Sequence, residues 1–211
     1  MKHFKLIISL GIILLAASCG RSSVPLTENP APQPPTSTPA ATAVQPQLFE
    51  PLTNSLARIT KKPFGIYITP QTSPVQPEKF RGYHTGADFE IFDDEIDKEV
   101  PVSTVCAGPL LLKRTATGYG GVAVQACQLE GNDVTVVYGH LKLSSISPKI
   151  GEQIKQGQKL GILGKGYSTE TDGERKHLHL SIHKGKSIVL LGYVQNKSEL
   201  NNWLDPAIYL K

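Results

Sequence analysis

From residue 64 onward the sequence consists of short apolar runs, which glycine, proline or an Asn-Asp pair separates. Many of these runs alternate apolar with polar residues, and a period of two places every second side chain on one face of a strand. The runs cover residues 64–69, 87–92, 102–112, 121–127, 134–138, 159–163 and 178–182. The pattern predicts an all-β fold, either an antiparallel sandwich or a barrel.

The folded part is predicted to begin near Phe49 and to end at Lys211. About 150 residues are enough to bury a core that is stable by itself. Loose helical spacing over residues 49–61 favours a short helix there. We assign residues 49–79 as an N-terminal extension of a domain that covers residues 80–211.

The charge of the chain does not indicate a nucleic-acid partner. The formal net charge is +4 and the pI is about 8.9, which is less basic than is usual for a dedicated nucleic-acid-binding domain. Removal of Lys2 and Lys5 with an N-terminal signal would lower the charge further. We therefore expect no nucleic acid among the partners.

The first 18 residues have the pattern of a secretory signal peptide. Lys2 and Lys5 precede an apolar run over residues 6–15, which is too short to span a bilayer as a helix, since that needs about 20 residues. Small residues at 16–18 lead directly to Cys19, as in a bacterial lipobox. We predict cleavage before Cys19 and its lipidation. An ordinary signal peptide with a chance cysteine, or an uncleaved anchor, remains the alternative.

Residues 19–48 are predicted to be a disordered tether that begins with the lipidated cysteine. Seven of the sixteen prolines lie between Pro25 and Pro46, among Thr, Ser, Ala and Gln. Such a segment buries too little apolar surface to offset the entropy of ordering it, and its prolines favour an extended coil. The expected location is a bacterial cell envelope, where the protein is lipid-anchored to a membrane and faces the periplasm or the outside.

Cys106 and Cys127 lie on predicted strands and leave two interpretations open. An exported chain meets an oxidising compartment, in which the two would form a disulfide. Two buried free thiols, which pack as small hydrophobic side chains, are the alternative.

Five histidines remain after the signal peptide, and they fall into three short contexts. In one of these contexts, His177 and His179 flank Leu178. On a strand they stand side by side on the outer face, with Cβ atoms about 7 Å apart. One imidazole can then bind a metal ion while the other acts beside it. His183 shares that parity, but we expect it to be a surface residue.

His84 and Asp88 are the second context. Gly86 and the alternation that follows favour a loop entering a strand, so the two side chains can converge on one ion. A catalytic zinc site has three protein ligands and one position for water. His84, Asp88 and one of the two later histidines would supply that number. His140, after Tyr138-Gly139, is the third context.

Taken in order, these segments resemble the motifs of the lysostaphin-like, LytM-type zinc endopeptidases. The resemblance covers roughly residues 80–211. Its motifs are His84…Asp88, Tyr138-Gly139-His140-Leu141, the segment 151–161, His177-Leu178-His179 and Asp205-Pro206.

The resemblance implies a two-sheet β-sandwich with an active-site groove and one zinc ion per chain. His84, Asp88 and His179 would be the zinc ligands. His177 would be the general base, and His140 would orient water or steady the oxyanion. The implied substrates are peptide bonds in the stems or cross-bridges of peptidoglycan.

The sequence departs from the family pattern at two places near His177 and His179. Residues 173–176 replace a small or proline-containing segment, and Ser181 stands where an acidic residue is common. Residues 184–204 also form a longer link to Asp205-Pro206 than is usual. A non-catalytic envelope module, either an activator of another wall hydrolase or a lipoyl-like adaptor, remains the alternative function.

Overall fold

A computed structural model describes residues 48–210 of the chain. The predicted signal peptide, Cys19 and nearly all of the predicted tether lie outside these residues. Leu48, the last residue assigned to the tether, is buried and pairs with Leu210. None of the helices in residues 48–210 combines the length and the apolarity needed to cross a membrane.

The described residues form twelve strands in three antiparallel sheets. The strands are β1 (Tyr67–Ile68), β2 (Gly82–His84), β3 (Gly86–Glu90), β4 (Pro101–Ser103), β5 (Gly108–Ala116), β6 (Gly120–Leu129), β7 (Asn132–Leu141), β8 (Gln153–Ile154), β9 (Lys159–Ile162), β10 (His177–Lys184), β11 (Tyr193–Val194) and β12 (Trp203–Leu204). The antiparallel all-β fold predicted from the alternation is confirmed.

The helices are short. The 3-10 helices are Ser55–Arg58, Asp93–Glu95, Leu143–Ser145, Thr169–Thr171 and Lys197–Asn202, and α1 is Pro206–Tyr209. The helix expected over residues 49–61 is realised only as the turn Ser55–Arg58. Asn54, in the left-handed region at φ 58°, prevents the helix from beginning earlier.

The largest sheet has the order β12-β10-β7-β6-β5-β8, with β3 also paired to β10. A smaller sheet has the order β1-β2-β11, and β4 pairs with β9. The hairpin β6–β7 has a two-residue turn at Glu130 and Gly131, both with positive φ (53° and 76°). This geometry matches the twist of the flanking strands and fixes the register that carries residues 138–141 to the site.

One face of the large sheet packs against the β4–β9 pair in a single apolar core. Members from the strands include Ala87, Phe89, Val102, Tyr138, Leu160, Leu178 and Leu180. A disulfide joins Cys106 and Cys127 in this core, with a Cα–Cα distance of 6.0 Å. The core thus occupies one face of β3 and β10 and leaves the opposite face for polar side chains.

Candidate metal centre

The pairing of β3 with β10 builds the site. Asp88 lies directly opposite His179, and Glu90 lies directly opposite His177. Side chains alternate along each strand, so that Leu178 points into the core while the two histidines point to the other face with Asp88. His84, at the end of β2, approaches the same face.

Three ligand atoms from His84, Asp88 and His179 come together at this point. His84 Nε2 lies 3.0 Å from His179 Nδ1. Asp88 Oδ1 lies 3.1 Å from His179 Nδ1 and 3.3 Å from His84 Nε2. Tetrahedral zinc ligands about 2.0–2.1 Å from the ion are about 3.4 Å from one another. The three atoms therefore fit one face of a zinc tetrahedron.

Backbone carbonyls orient two of the imidazoles. His84 Nδ1 lies 3.2 Å from the Pro63 carbonyl oxygen, and His177 Nδ1 lies 2.8 Å from that of Arg175. A carbonyl oxygen can only accept, so each Nδ1 carries a proton, and in the neutral form of each ring Nε2 has a free lone pair. His84 Nε2 can thus bind a cation, and His177 Nε2 can accept a proton.

Asp88 is ionised although it is 2% exposed. Burial by itself would raise the pKa of its carboxyl group, but His177 and His84 outweigh burial and hold the pKa well below its usual value. His177 Nε2 lies 3.3 Å from Asp88 Oδ2. A buried carboxylate that stays charged is the donor that a divalent cation requires.

His140 lies beside His177, with ring centroids 4.3 Å apart. Its backbone is in the left-handed region at φ 62°, which turns the side chain toward the site at the end of β7. Burial lowers the pKa of His140 well below its ordinary value, and the neighbouring His177 lowers it further. His140 is therefore neutral at pH 7. Its Nδ1 has no hydrogen-bond partner within the described part of the chain.

The four histidines around Asp88 are more buried than an exposed sheet face would make them; His84 is 0% exposed and His179 is 4% exposed. The segment that ends in β11 covers them, because Tyr193 stacks on His84 with centroids 5.1 Å apart. The expectation that His177 and His179 stand on an outer face is wrong in this respect. A cavity of about 280 Å³ remains between the histidines and this cover.

Sequence reasoning missed several polar residues around the cavity. Lys62 lies in a buried ion pair with Glu78 and donates to the Tyr193 hydroxyl at 3.3 Å. The buried Tyr119 contacts His179 edge to face at 5.3 Å between centroids. Tyr119 belongs to a Gly-Tyr-Gly-Gly run that marks a turn, whereas the sequence around Lys62 carries no signal of a site.

Two other motif residues lie apart from the cluster. His183 contacts Trp203 edge to face at 4.9 Å between centroids and lies outside the group of three ligand atoms. Tyr138 points into the core, where its hydroxyl accepts from the Val105 amide and donates to Gln125 Oε1, both at 2.9 Å. Tyr138 is therefore a structural member of its motif.

A larger cavity, of about 630 Å³, lies on the other side of Arg175. Its lining includes Glu90, Phe92, Lys142 and Tyr167 and none of the four clustered histidines. Arg175 lines both cavities.

Comparisons with known proteins place these features in a family context. Residues 82–190 match the family described as Peptidase family M23. Endolysin 2638A of Staphylococcus phage 2638A is 26% identical over 162 residues, which is 68% of this chain and 32% of the endolysin. The chain thus spans about a third of the length of this curated relative.

Solved structures are similar as well. A structure of LytU is 26% identical, covers 71% of this chain and 81% of its own, and has a TM-score of 0.48. SpoIIQ in the SpoIIQ–SpoIIIAH pore forming complex is 16% identical, covers 79% and 92%, and has a TM-score of 0.51. A zinc containing peptidase from Vibrio cholerae is 18% identical, covers 77% and 40%, and has a TM-score of 0.45.

Proposed function

Because this chain belongs to peptidase family M23, we propose that it is a zinc-dependent endopeptidase that hydrolyses peptide bonds in the stems or cross-bridges of peptidoglycan. The observation that carries the proposal is the group of three ligand atoms from His84, Asp88 and His179, with the pair His140 and His177 beside it.

His84, Asp88 and His179 would hold the zinc ion, and they are a set of two neutral nitrogens and one carboxylate. Such a set leaves a net positive charge on the site. When bound, zinc lowers the pKa of water and polarises the carbonyl group of an amide. A ligand set of three also leaves room for substrate or water.

His177 is the proposed general base. Its Nε2 is free to accept a proton because Nδ1 is bound to the Arg175 carbonyl, and the Asp88 carboxylate at 3.3 Å stabilises the imidazolium that results. The same nitrogen can return the proton to the leaving amine. General acid–base catalysis of this kind contributes about 10²–10⁴ to the rate.

His140 and Tyr119 are proposed to steady the carbonyl oxygen or to orient water. His140 is neutral for the reason given above, and a neutral imidazole can donate one hydrogen bond without adding charge next to His177. Lys62 and Tyr193 close the cavity on the side of His84, and this cover limits the entry of bulk water.

We further propose that the protein acts while tethered to a membrane through a lipid on Cys19. The support is the signal-like segment 1–18 and the proline-rich segment 19–48. Two or more acyl chains give stable anchoring, whereas one does not. Incorporation of labelled palmitate into the full chain, and its loss in Cys19→Ala, would test this part of the proposal.

The test of the activity combines metal analysis with an assay on purified cell walls. We expect about one zinc ion per chain, a fall in the turbidity of the walls, and new muropeptides by mass spectrometry. Treatment with a chelator should stop the release, and added zinc should restore it. A protein that carries no metal and leaves the walls unchanged would instead favour the non-catalytic envelope module.

A further inference from the structure

Arg175 connects two carboxylates beside the metal centre. Its Nη2 donates to Asp88 Oδ2 at 3.0 Å. Its Nε donates to Glu90 Oε2 at 2.9 Å, and Nη2 makes a second contact with Glu90. Arg175 is 7% exposed and Asp88 is 2% exposed, so that water screens these contacts weakly.

The two carboxylate oxygens of Asp88 have different neighbours. Oδ2 faces Arg175 and His177, and Oδ1 faces His84 and His179. Without a donor on Oδ2, a carboxylate can rotate and offer both oxygens to one cation. The planar guanidinium contacts both acids at once, which the single ammonium of a lysine does less well.

Glu90 offsets the charge that Arg175 brings to the site. Asp88 and Arg175 alone would form a neutral pair, which would attract a cation poorly. With Glu90, the three groups keep one net negative charge. Lys61 lies 3.5 Å from Glu90, but it is about half exposed and its effect is largely screened.

The local sequence around Arg175 differs from the family pattern. Arg175 lies in the segment 173–176, which departs from the family pattern, and Glu90 pairs across the ladder with His177. Ser181, which stands where an acidic residue is common, has no hydrogen-bond partner for its hydroxyl within residues 48–210. Of these two residues, Arg175 is therefore the one that makes a hydrogen bond to a proposed metal ligand, Asp88.

We propose that Arg175, balanced by Glu90, is a positioning residue that holds Asp88 so that Oδ1 alone serves the metal ion. This inference rests on the proposed function. It predicts that loss of the guanidinium contacts to Asp88 and Glu90 changes the coordination of the ion. It also predicts that kcat falls by about tenfold or more, as is typical when a partner of a metal ligand is removed. KM should change little, because Arg175 is not assigned to substrate binding.

The test uses the full chain loaded with cobalt(II), whose visible absorption is stronger in four-coordinate sites than in five- or six-coordinate ones. Arg175→Lys keeps the positive charge but loses the planar guanidinium, and Arg175→Met loses both. We expect weaker cobalt bands and a lower kcat in both variants, with each protein shown to be folded by circular dichroism. The matched control is Glu95→Gln, which breaks another Arg–Glu pair, the partly buried one that Glu95 forms with Arg58 at 2.6 and 2.9 Å. Its cobalt spectrum should equal that of the wild type.

Three results would overturn the inference. The first is a folded Arg175→Lys or Arg175→Met protein with the wild-type spectrum and kcat. The second is an equal spectral change in Glu95→Gln, which would indicate that loss of any Arg–Glu pair perturbs the site by loosening the fold. A wild-type chain that takes up no cobalt or zinc would refute the metal centre itself, and this result is distinct from the other two.

Discussion

The imidazole rings of His140 and His177 lie 4.3 Å apart between centroids, with a 38° angle between their planes, across the neighbouring strands β7 and β10. Asp88 Oδ2 contacts His177 at 3.3 Å, whereas His140 Nδ1 has no partner in the range 48–210. Because two positive rings at this distance would repel each other, the pair is suited to carry one proton at a time.

Replacement of the proposed base separates catalysis from metal binding. His177→Ala should keep about one zinc ion per chain, because His177 is not among the three clustered ligand residues. We expect the rate of muropeptide release to fall by about 10²–10⁴. The measurements are metal analysis and release from purified walls. Wild-type activity in a folded His177→Ala protein would eliminate His177 as the base.

Replacement of a ligand should remove both the metal and the activity. His179→Ala takes away the nitrogen that lies 3.0 Å from His84 and 3.1 Å from Asp88. The matched control is His183→Ala, on the same strand and of the same parity, whose ring contacts Trp203. We expect His183→Ala to keep zinc and activity. Equal zinc content in the two variants would contradict the proposed ligand set.

The metal-free protein should lose stability as the pH falls below about 6.5. Burial lowers the pKa of His179 to about 4 and that of His140 well below its ordinary value. Between pH 6.5 and 4 the unfolded chain therefore binds protons at these positions that the folded chain does not, and the free energy of unfolding decreases with falling pH. The slope is on the order of 1 kcal/mol per pH unit for each histidine.

Urea titrations of the chelator-treated protein at pH 7.5, 6.5 and 5.5 would measure this effect. His140→Gln should show a shallower dependence on pH than the wild type, since one of the two groups is gone. Parallel curves for the two proteins would show that His140 is not responsible.

Loss of the disulfide should lower stability without affecting the site. The bond between Cys106 and Cys127 closes a loop with a sequence separation of 21, which corresponds to about 3 kcal/mol of loop-closure entropy. Both sulfurs lie in the core on the face of the sheet away from the histidines. We expect Cys106→Ala/Cys127→Ala to unfold at a lower urea concentration and to bind zinc as the wild type does. A wild-type unfolding midpoint would contradict the role of the bond.

Local patterns were sufficient to predict the longer strands and the shared face of His177 and His179, but they did not predict the short strands β2, β8, β11 and β12. Alternation put His177 and His179 on one face of a strand, and the Asn-Asp pair between two apolar runs marked the break between β6 and β7. The order of the motifs indicated that His84, Asp88 and His179 belong to one site. These inferences needed only neighbours along the chain and the resemblance.

Contacts between distant segments could not be predicted in this way. Arg175 and Lys62 are basic residues in irregular segments, where solvent exposure is the usual outcome. In the structure each finds a buried carboxylate, Glu90 in one case and Glu78 in the other. Nothing in the adjacent residues distinguishes these two cations from the exposed lysines. The covered state of the site has the same origin, because Tyr193 reaches His84 from 109 positions further along the chain.

The position of β3 has a consequence for the order in which the protein can assemble during synthesis. Among the described strands, β3 pairs with β10 alone, although 86 residues separate the end of β3 at Glu90 from the start of β10 at His177. A ribosome-bound chain that has not yet released β10 therefore carries His84 and Asp88 without the strand that aligns them. A product truncated before His177 would lack His179 together with the strand that sets Asp88 beside it, and so could not form the three-residue cluster.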